Sequence, residues 1–179
     1  IRLGLVGSEM CIRDSGYSAN VIDCPPTLKD REETLQKVID QTGASAMHPY
    51  NDMDVIEGNS TATMELLEDY PDLDAIFAPI GGGGLISGAC LAAKYFSNAK
   101  VYGAEPEGAD DAYRSFQKGE IIPMVNPQTI ADGLRTSLGE IGFEIMKTHL
   151  DSIFTVSESE IVSAMKWMWQ KMKIIIEPS

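Results

Sequence analysis

Basic charge is what this sequence has least of. Fourteen Lys and Arg stand against 27 Asp and Glu, a net charge of −13, and a surface of that sign repels nucleic acid and anionic membranes. Small molecules and other proteins are the partners left. Cysteine is scarce as well: Cys11, Cys24 and Cys90 are widely spaced and form no C-x-x-C pair. That excludes a disulfide framework and a cysteine zinc site, and it suits a reducing, cytoplasmic setting. The only two histidines, His48 and His149, lack the carboxylate and nucleophile pattern of a triad and read as core or surface residues. One uncharged stretch, Ala75 to Ala93, matches a bilayer in length, but Pro79 and four glycines lie inside it. It reads as strand, loop and buried helix, not as a membrane span. An initiator Met is missing and the chain stops at Glu177-Pro178-Ser179, so the sequence reads as a fragment. Residues 1–15, IRLGLVGSEMCIRDS, are too short and too charged for a secretory signal. They resemble translated adapter read-through and are set aside as a non-native leader.

What is present is glycine, concentrated at one place. Gly81, Gly82, Gly83 and Gly84 follow an apolar strand, Ala75 to Ala78, and precede a helical run from Leu85. Without Cβ atoms several adjacent residues can take positive φ, so that successive N–H groups converge on one anion, and the next helix adds its positive end. No lysine follows, so this is not a nucleoside triphosphate loop, and a cofactor phosphate is the natural guest. Three readings stay open: a cofactor-phosphate cup, a tight turn without ligand, and a dinucleotide fingerprint. The last has an acidic residue, Glu105, at the expected distance. Its third glycine fails in both Gly82-x-Gly84-x-x-Ser87 and Gly81-x-Gly83-x-x-Ile86.

Strand-like and helix-like segments alternate, which implies a parallel sheet in an α/β fold. The expected strands are Asn20–Asp23, Ala75–Ala78, Lys100–Ala104 and Ile153–Val156. The expected helices are Leu28–Gln41, a segment through Ala62 and Leu67 capped by Ser60 or Thr61 and ended by Pro71, Leu85–Phe96, one through Tyr113 and Phe116, Phe143–Leu150, and Glu158–Lys173. Ser157 and Glu160 form a capping box for the last. Trp167 and Trp169 read as packing residues of that helix.

Two further clusters carry chemistry. Glu105 and Asp111, separated by small residues and a proline, are hard oxygen ligands that suit Mg²⁺, Mn²⁺ or Ca²⁺ completed by a carbonyl and water. The same residues also read as a solvated acidic turn, with Asp110 and Asp111 opening the next helix. The segment Thr129 to Gly139, with Asp132-Gly133 inside it, reads as a functional loop or a plain turn.

Taken in order, HPYNDMDVIEG, APIGGGGLISG, VYGAEPEGADD, TIADGLRTSLG, DSIFTVSESEI and IIIEPS resemble the serine racemase and serine/threonine dehydratase family of pyridoxal phosphate enzymes. That resemblance implies an incomplete, three-layer parallel-sheet fold of the tryptophan synthase β-subunit type, fold type II. Residues 16–52 would then be the end of the small domain and 53–179 most of the large one. It also implies that Gly81, Gly82, Gly83, Gly84 and the Leu85 amide hold the cofactor phosphate. Gly133 and Glu177 would lie near the cofactor ring, and Glu105, the Ala109 carbonyl and Asp111 would hold Mg²⁺, Mn²⁺ or Ca²⁺. The implied substrates are small hydroxy amino acids, with a homodimer as the full-length form. No lysine here stands in the family's Schiff-base motif, so no catalytic residue is assigned and the chain by itself is expected to be inactive. Where the family has G-Q-G-T, this chain has Gly58-Asn-Ser-Thr61, expected as a turn.

Overall fold

The computed structural model describes residues 16–18, 20–25 and 27–179; the proposed leader, and Cys11 with it, lies outside them. The chain divides into two compact units after Pro49. In the first, helix α1 (Leu28–Thr42) starts at Thr27, whose side chain accepts from the Asp30 N–H, and ends at Gly43 in the left-handed conformation at φ +68. It buries Val38 and half-buries Leu35 and Ile39. Asn20–Asp23 is not a strand. A strand exists only where a neighbour completes its ladder, and no other strand lies among the described residues of this unit.

The second unit is built on three parallel strands in the order β1 (Ala75–Pro79), β2 (Lys100–Pro106) and β3 (Ser152–Val156). The register pairs Ile76 with Val101 and Gly103 with Ile153. Because side chains alternate across a strand, these residues share the buried face. Ile80, Ile86, Cys90, Phe143 and Met146 join them in the core. The helices are α2 (Met53–Asp69), α3 (Gly84–Phe96), α4 (Asp111–Lys118), α5 (Glu140–His149) and α6 (Glu158–Met172); α3 and α4 pack on the strands, and α2 and α5 pack on α3. The uncharged stretch therefore divides into β1, the glycine loop and α3. No described helix is long and apolar enough to cross a membrane.

Helix α2 begins a full two turns earlier than expected. Its cap is Asp52, which accepts from the Asp54 N–H at 2.9 Å, and neither Ser60 nor Thr61 caps it. Both lie mid-helix and donate back to Glu57 O and Gly58 O at 2.6 and 2.8 Å. Gly58–Thr61 is accordingly helix rather than turn. What holds these polar residues helical is the crossing with α3: an added Cβ at Gly88 would come within 2.7 Å of the Ser60 nitrogen and 2.8 Å of Ile56 O. The helix stops at Tyr70, the residue before Pro71, which disfavours a further helical residue there. The capping box of α6 is formed as expected, but its tryptophans are not packed. No residue of α6 is buried, Trp167 and Trp169 are exposed, and Trp169 lines an open apolar groove with Ile130, Val162, Met165 and Ile175.

The sheet's other face carries Phe77, Tyr102 and Phe154, with Phe77 stacked on Tyr102 at 5.1 Å between ring centroids. Phe77 is 65% exposed and Phe154 49%, an apolar ridge of the kind that drives association. Phe77→Ser with Phe154→Ser is expected to raise the concentration at which the chain stays monodisperse in light scattering, while its far-UV spectrum is unchanged. Cys90 behaves oppositely. Burial, aided by the Asp151 charge, pushes its thiol up to about 12, so iodoacetamide should modify it only after denaturation.

Candidate functional site

The chain leaves β1 with one more ladder bond, from the Ile80 N–H to Ala104 O at 2.9 Å, and enters the glycine loop at the carboxyl edge of the sheet. Only Gly83 has positive φ, +90. The expectation of several adjacent left-handed glycines is corrected: Gly81, Gly82 and Gly84 are required by the approach of neighbours instead. A Cβ on Gly81 would lie 3.1 Å from Gly133 O, and one on Gly84 3.0 Å from Tyr50 Cα. On Gly82 it would fall 2.1 Å from Cγ of the Tyr50 ring. Gly83 is the N-cap of α3 and, having no side chain, gives that helix end no side-chain cap. The first intrahelical bond runs from the Ser87 N–H to Gly83 O at 3.0 Å, which leaves the amides of the first turn, Leu85 among them, to an outside acceptor.

Beside this loop, β2 ends in Glu105 and Pro106. A 3-10 turn, Glu107–Ala109, leads to Asp110 and α4. Glu105 is 1% exposed and Asp111 0%, so the pair is not a solvated turn. Glu105 accepts from the Ala112 N–H at 3.2 Å and the Tyr113 N–H at 2.7 Å, the positive end of α4. That commitment takes it away from the ribose contact a dinucleotide reading needs. Asp110 opens the helix as its N-cap residue and pairs with Arg114 at 2.8 Å.

Burial pushes the Glu105 carboxyl up to about 8, opposed by the Tyr113 amide and reinforced by the charge of Asp111. Burial also pushes Asp111 up to about 6, opposed by the Leu138 amide. Asp111 Oδ2 accepts from that amide at 2.9 Å, whereas Oδ1 is buried without a partner. An orphaned carboxylate oxygen next to a second buried carboxylate fits a hard divalent cation. Among the described residues no three His, Cys, Asp or Glu side chains converge on a metal, so such a cation would draw its remaining ligands from backbone carbonyls and water. Ala109 is buried and lies between the two acids in sequence, two residues before Asp111.

The segment Thr129–Gly139 lies between these places. It contains a 3-10 turn, Asp132–Leu134, sets Gly133 against Gly81, and sends adjacent amides to both sites. The Leu138 N–H goes to Asp111, and the Gly139 N–H goes to Gly82 O at 3.0 Å. Glu177 is exposed on the stretch after α6. The residue of that stretch that reaches Gly133 is Ser179, whose Oγ accepts from the Gly133 N–H at 3.1 Å. Three residues of this arrangement were not singled out in the sequence: Tyr50, Thr136 and Leu138. Tyr50 meets Gly82 across 32 positions of chain and Leu138 meets Gly83 across 55, while Thr136 joins them through the Tyr50 hydroxyl, and no local pattern signals that. His149 is a surface residue beside Lys94, 3.4 Å from its Nζ, and partial burial followed by that charge lowers its pKa.

A glycine loop with an uncapped helix end, at the carboxyl edge of a parallel sheet, is the ligand edge of an open α/β domain. The chain belongs to the pyridoxal-phosphate dependent enzyme family, whose pattern matches residues 8–179. It is 48% identical to a serine racemase of Dictyostelium discoideum over 167 residues, 92% of this chain and 52% of that protein. It is 47% identical to a beta-hydroxyaspartate dehydratase of Paracoccus denitrificans, over 91% of this chain and 52% of the relative. A crystal structure of the Dictyostelium discoideum serine racemase matches with a TM-score of 0.89 at 46% identity, covering 97% of this chain and 56% of that one. The α/β fold is therefore that of the fold type II pyridoxal phosphate enzymes, and the chain spans about half the length of the curated relatives it matches.

Proposed function

We propose that this chain is the phosphate- and cation-holding part of a pyridoxal phosphate enzyme, an ammonia-lyase (dehydratase) or racemase that acts on serine, threonine or hydroxyaspartate. The observation that carries the reading is the uncapped N-terminus of α3 directly behind four buried glycines. First-turn amides and the helix dipole favour an anion there, and the absence of Cβ atoms lets its oxygens approach the backbone. When bound, pyridoxal phosphate supplies an electron sink for the amino acid's Cα–H bond.

In this proposal Gly81, Gly82, Gly83, Gly84 and the Leu85 amide grip the phosphate, and Gly133 passes the ring with its backbone. Glu177 lies on the segment that Ser179 ties to Gly133. Glu105, the Ala109 carbonyl and Asp111 hold Mg²⁺, Mn²⁺ or Ca²⁺, which neutralises two carboxylates and ties β2 to α4. None of these groups sits as an acid or base at a substrate Cα, so the proton-moving residues belong to the parent protein, as does its homodimeric assembly. Relatives that include a serine racemase and a dehydratase support the substrate class.

Two measurements test the reading. Equilibrium dialysis should show pyridoxal phosphate binding to the chain in competition with inorganic phosphate, with pyridoxal binding far more weakly. Equal binding of pyridoxal and its phosphate would refute the anion cup. The chain supplied with serine or threonine and pyridoxal phosphate should release no pyruvate or 2-oxobutanoate, whereas the full-length parent should release one of them or form D-serine.

A further inference from the structure

Four glycines in a row cannot hold their own shape: each loses more backbone entropy on ordering than any other residue and has no side chain to pack. Whatever shapes this loop must come from outside it, and Tyr50 touches two of the four glycines. Its ring occupies the space a Gly82 side chain would take, and its Cα backs Gly84. From the far side, Gly82 O accepts from the Gly139 N–H at 3.0 Å. These two grips are joined, because the Tyr50 hydroxyl shares a hydrogen bond of 2.9 Å with Thr136 Oγ1, three residues before Gly139. The result is a closed circuit, Tyr50 to Gly82 to Gly139 to Thr136 and back to Tyr50. Thr136 is buried and Tyr50 half-buried, so that last link is partly sheltered from water.

We infer that Tyr50 is a positioning residue of the glycine loop and that its hydroxyl on Thr136 is the latch that keeps the loop in its anion-binding shape. The inference rests on the proposed anion site, since a latch matters only if the loop has a guest. A loop shaped in advance binds without a further ordering cost, so the latch acts on affinity as well as on stability.

The test uses the 179-residue chain with inorganic phosphate as the probe, its affinity measured by calorimetry well below the unfolding transition. Tyr50→Phe and Thr136→Val should each weaken phosphate binding by about three- to tenfold, the effect of one hydrogen bond. The double variant should lose no more than the weaker single one, because both remove the same bond. Thr136→Ser keeps a hydroxyl and should retain the wild-type affinity, and that pair of variants carries the test if Tyr50→Phe does not fold. Amide hydrogen exchange at Gly82 to Gly84 should quicken in the two single variants. Unchanged affinity together with a lowered unfolding temperature would reduce Tyr50 to a packing residue and overturn the latch. Failure of the unaltered chain to bind phosphate at all would overturn the anion site itself, and the latch with it.

Discussion

Gly82→Ala is expected to abolish tight phosphate binding and to destabilise the chain by about 1–3 kcal/mol, the usual cost of forcing a methyl into a packed site. The new Cβ would stand 2.1 Å from Tyr50 Cγ and 2.3 to 2.4 Å from the two Cδ atoms. Cγ is rooted next to the backbone, so the ring cannot swing clear without breaking its bond to Thr136 or moving the loop. A matched control lies in α2, where Gly58 has nothing within 4 Å of an added Cβ. Gly58→Ala should stabilise the chain by about 0.5–1 kcal/mol, the difference in helix propensity. Thermal unfolding and phosphate calorimetry on the two variants check both expectations. A Gly82→Ala protein that binds phosphate like the unaltered chain would show that the ring yields freely and that the loop is not shaped by its neighbours.

The second large effect is a stability that depends on pH and on divalent cations. Glu105 has a folded pKa of about 8 against an ordinary value of 4.5, and Asp111 about 6 against 3.8. The folded chain therefore binds more protons than the unfolded chain across that interval. The stability these two carboxyls contribute is fully present below pH 3.8 and is lost as pH rises from there towards about 8. Without divalent metal, the loss over that window should be on the order of a few kcal/mol. With millimolar Mg²⁺ or Ca²⁺ the decline should flatten, since a cation replaces the proton as the neutralising partner of the two carboxylates. Glu105→Gln should remove most of the slope and weaken the response to metal. Denaturant unfolding at pH 5.5 and 8.5, with and without metal, decides the matter. Equal stability of the unaltered chain in all four conditions would argue against both the buried charge and the cation site.

Much of the secondary structure was legible because its signals are local. Pro71, the Ser157 and Glu160 capping box, and the apolar runs of β1, β2 and β3 each act within a few residues of themselves. The errors share a different origin. Ser60 and Thr61 have the chemistry of caps, and only the crossing of α2 with α3 at Gly88 makes them mid-helix residues. Asn20–Asp23 has strand composition, yet a strand is a property of two chains side by side. Trp167 and Trp169 look like core by composition and are exposed, because residue type does not say which neighbours are there to cover it.

The same division holds for the candidate site. Gly81–Gly84, Glu105, Asp111 and Gly133 stand out in the chain because glycine and paired carboxylates are costly unless used, and their order along the sequence already carries the family likeness. The reasons for three of the four glycines, the orphaned oxygen of Asp111, and the meeting of Tyr50, Gly82, Thr136 and Gly139 do not appear in any window of sequence. Residue chemistry and backbone propensity are inherited directly from the amino-acid order, so most element types, and the residues that could serve as ligands, were readable from it. Close approach, burial and the charge state that burial imposes arise only when segments distant in the chain are packed against one another, and those the folded structure alone decided.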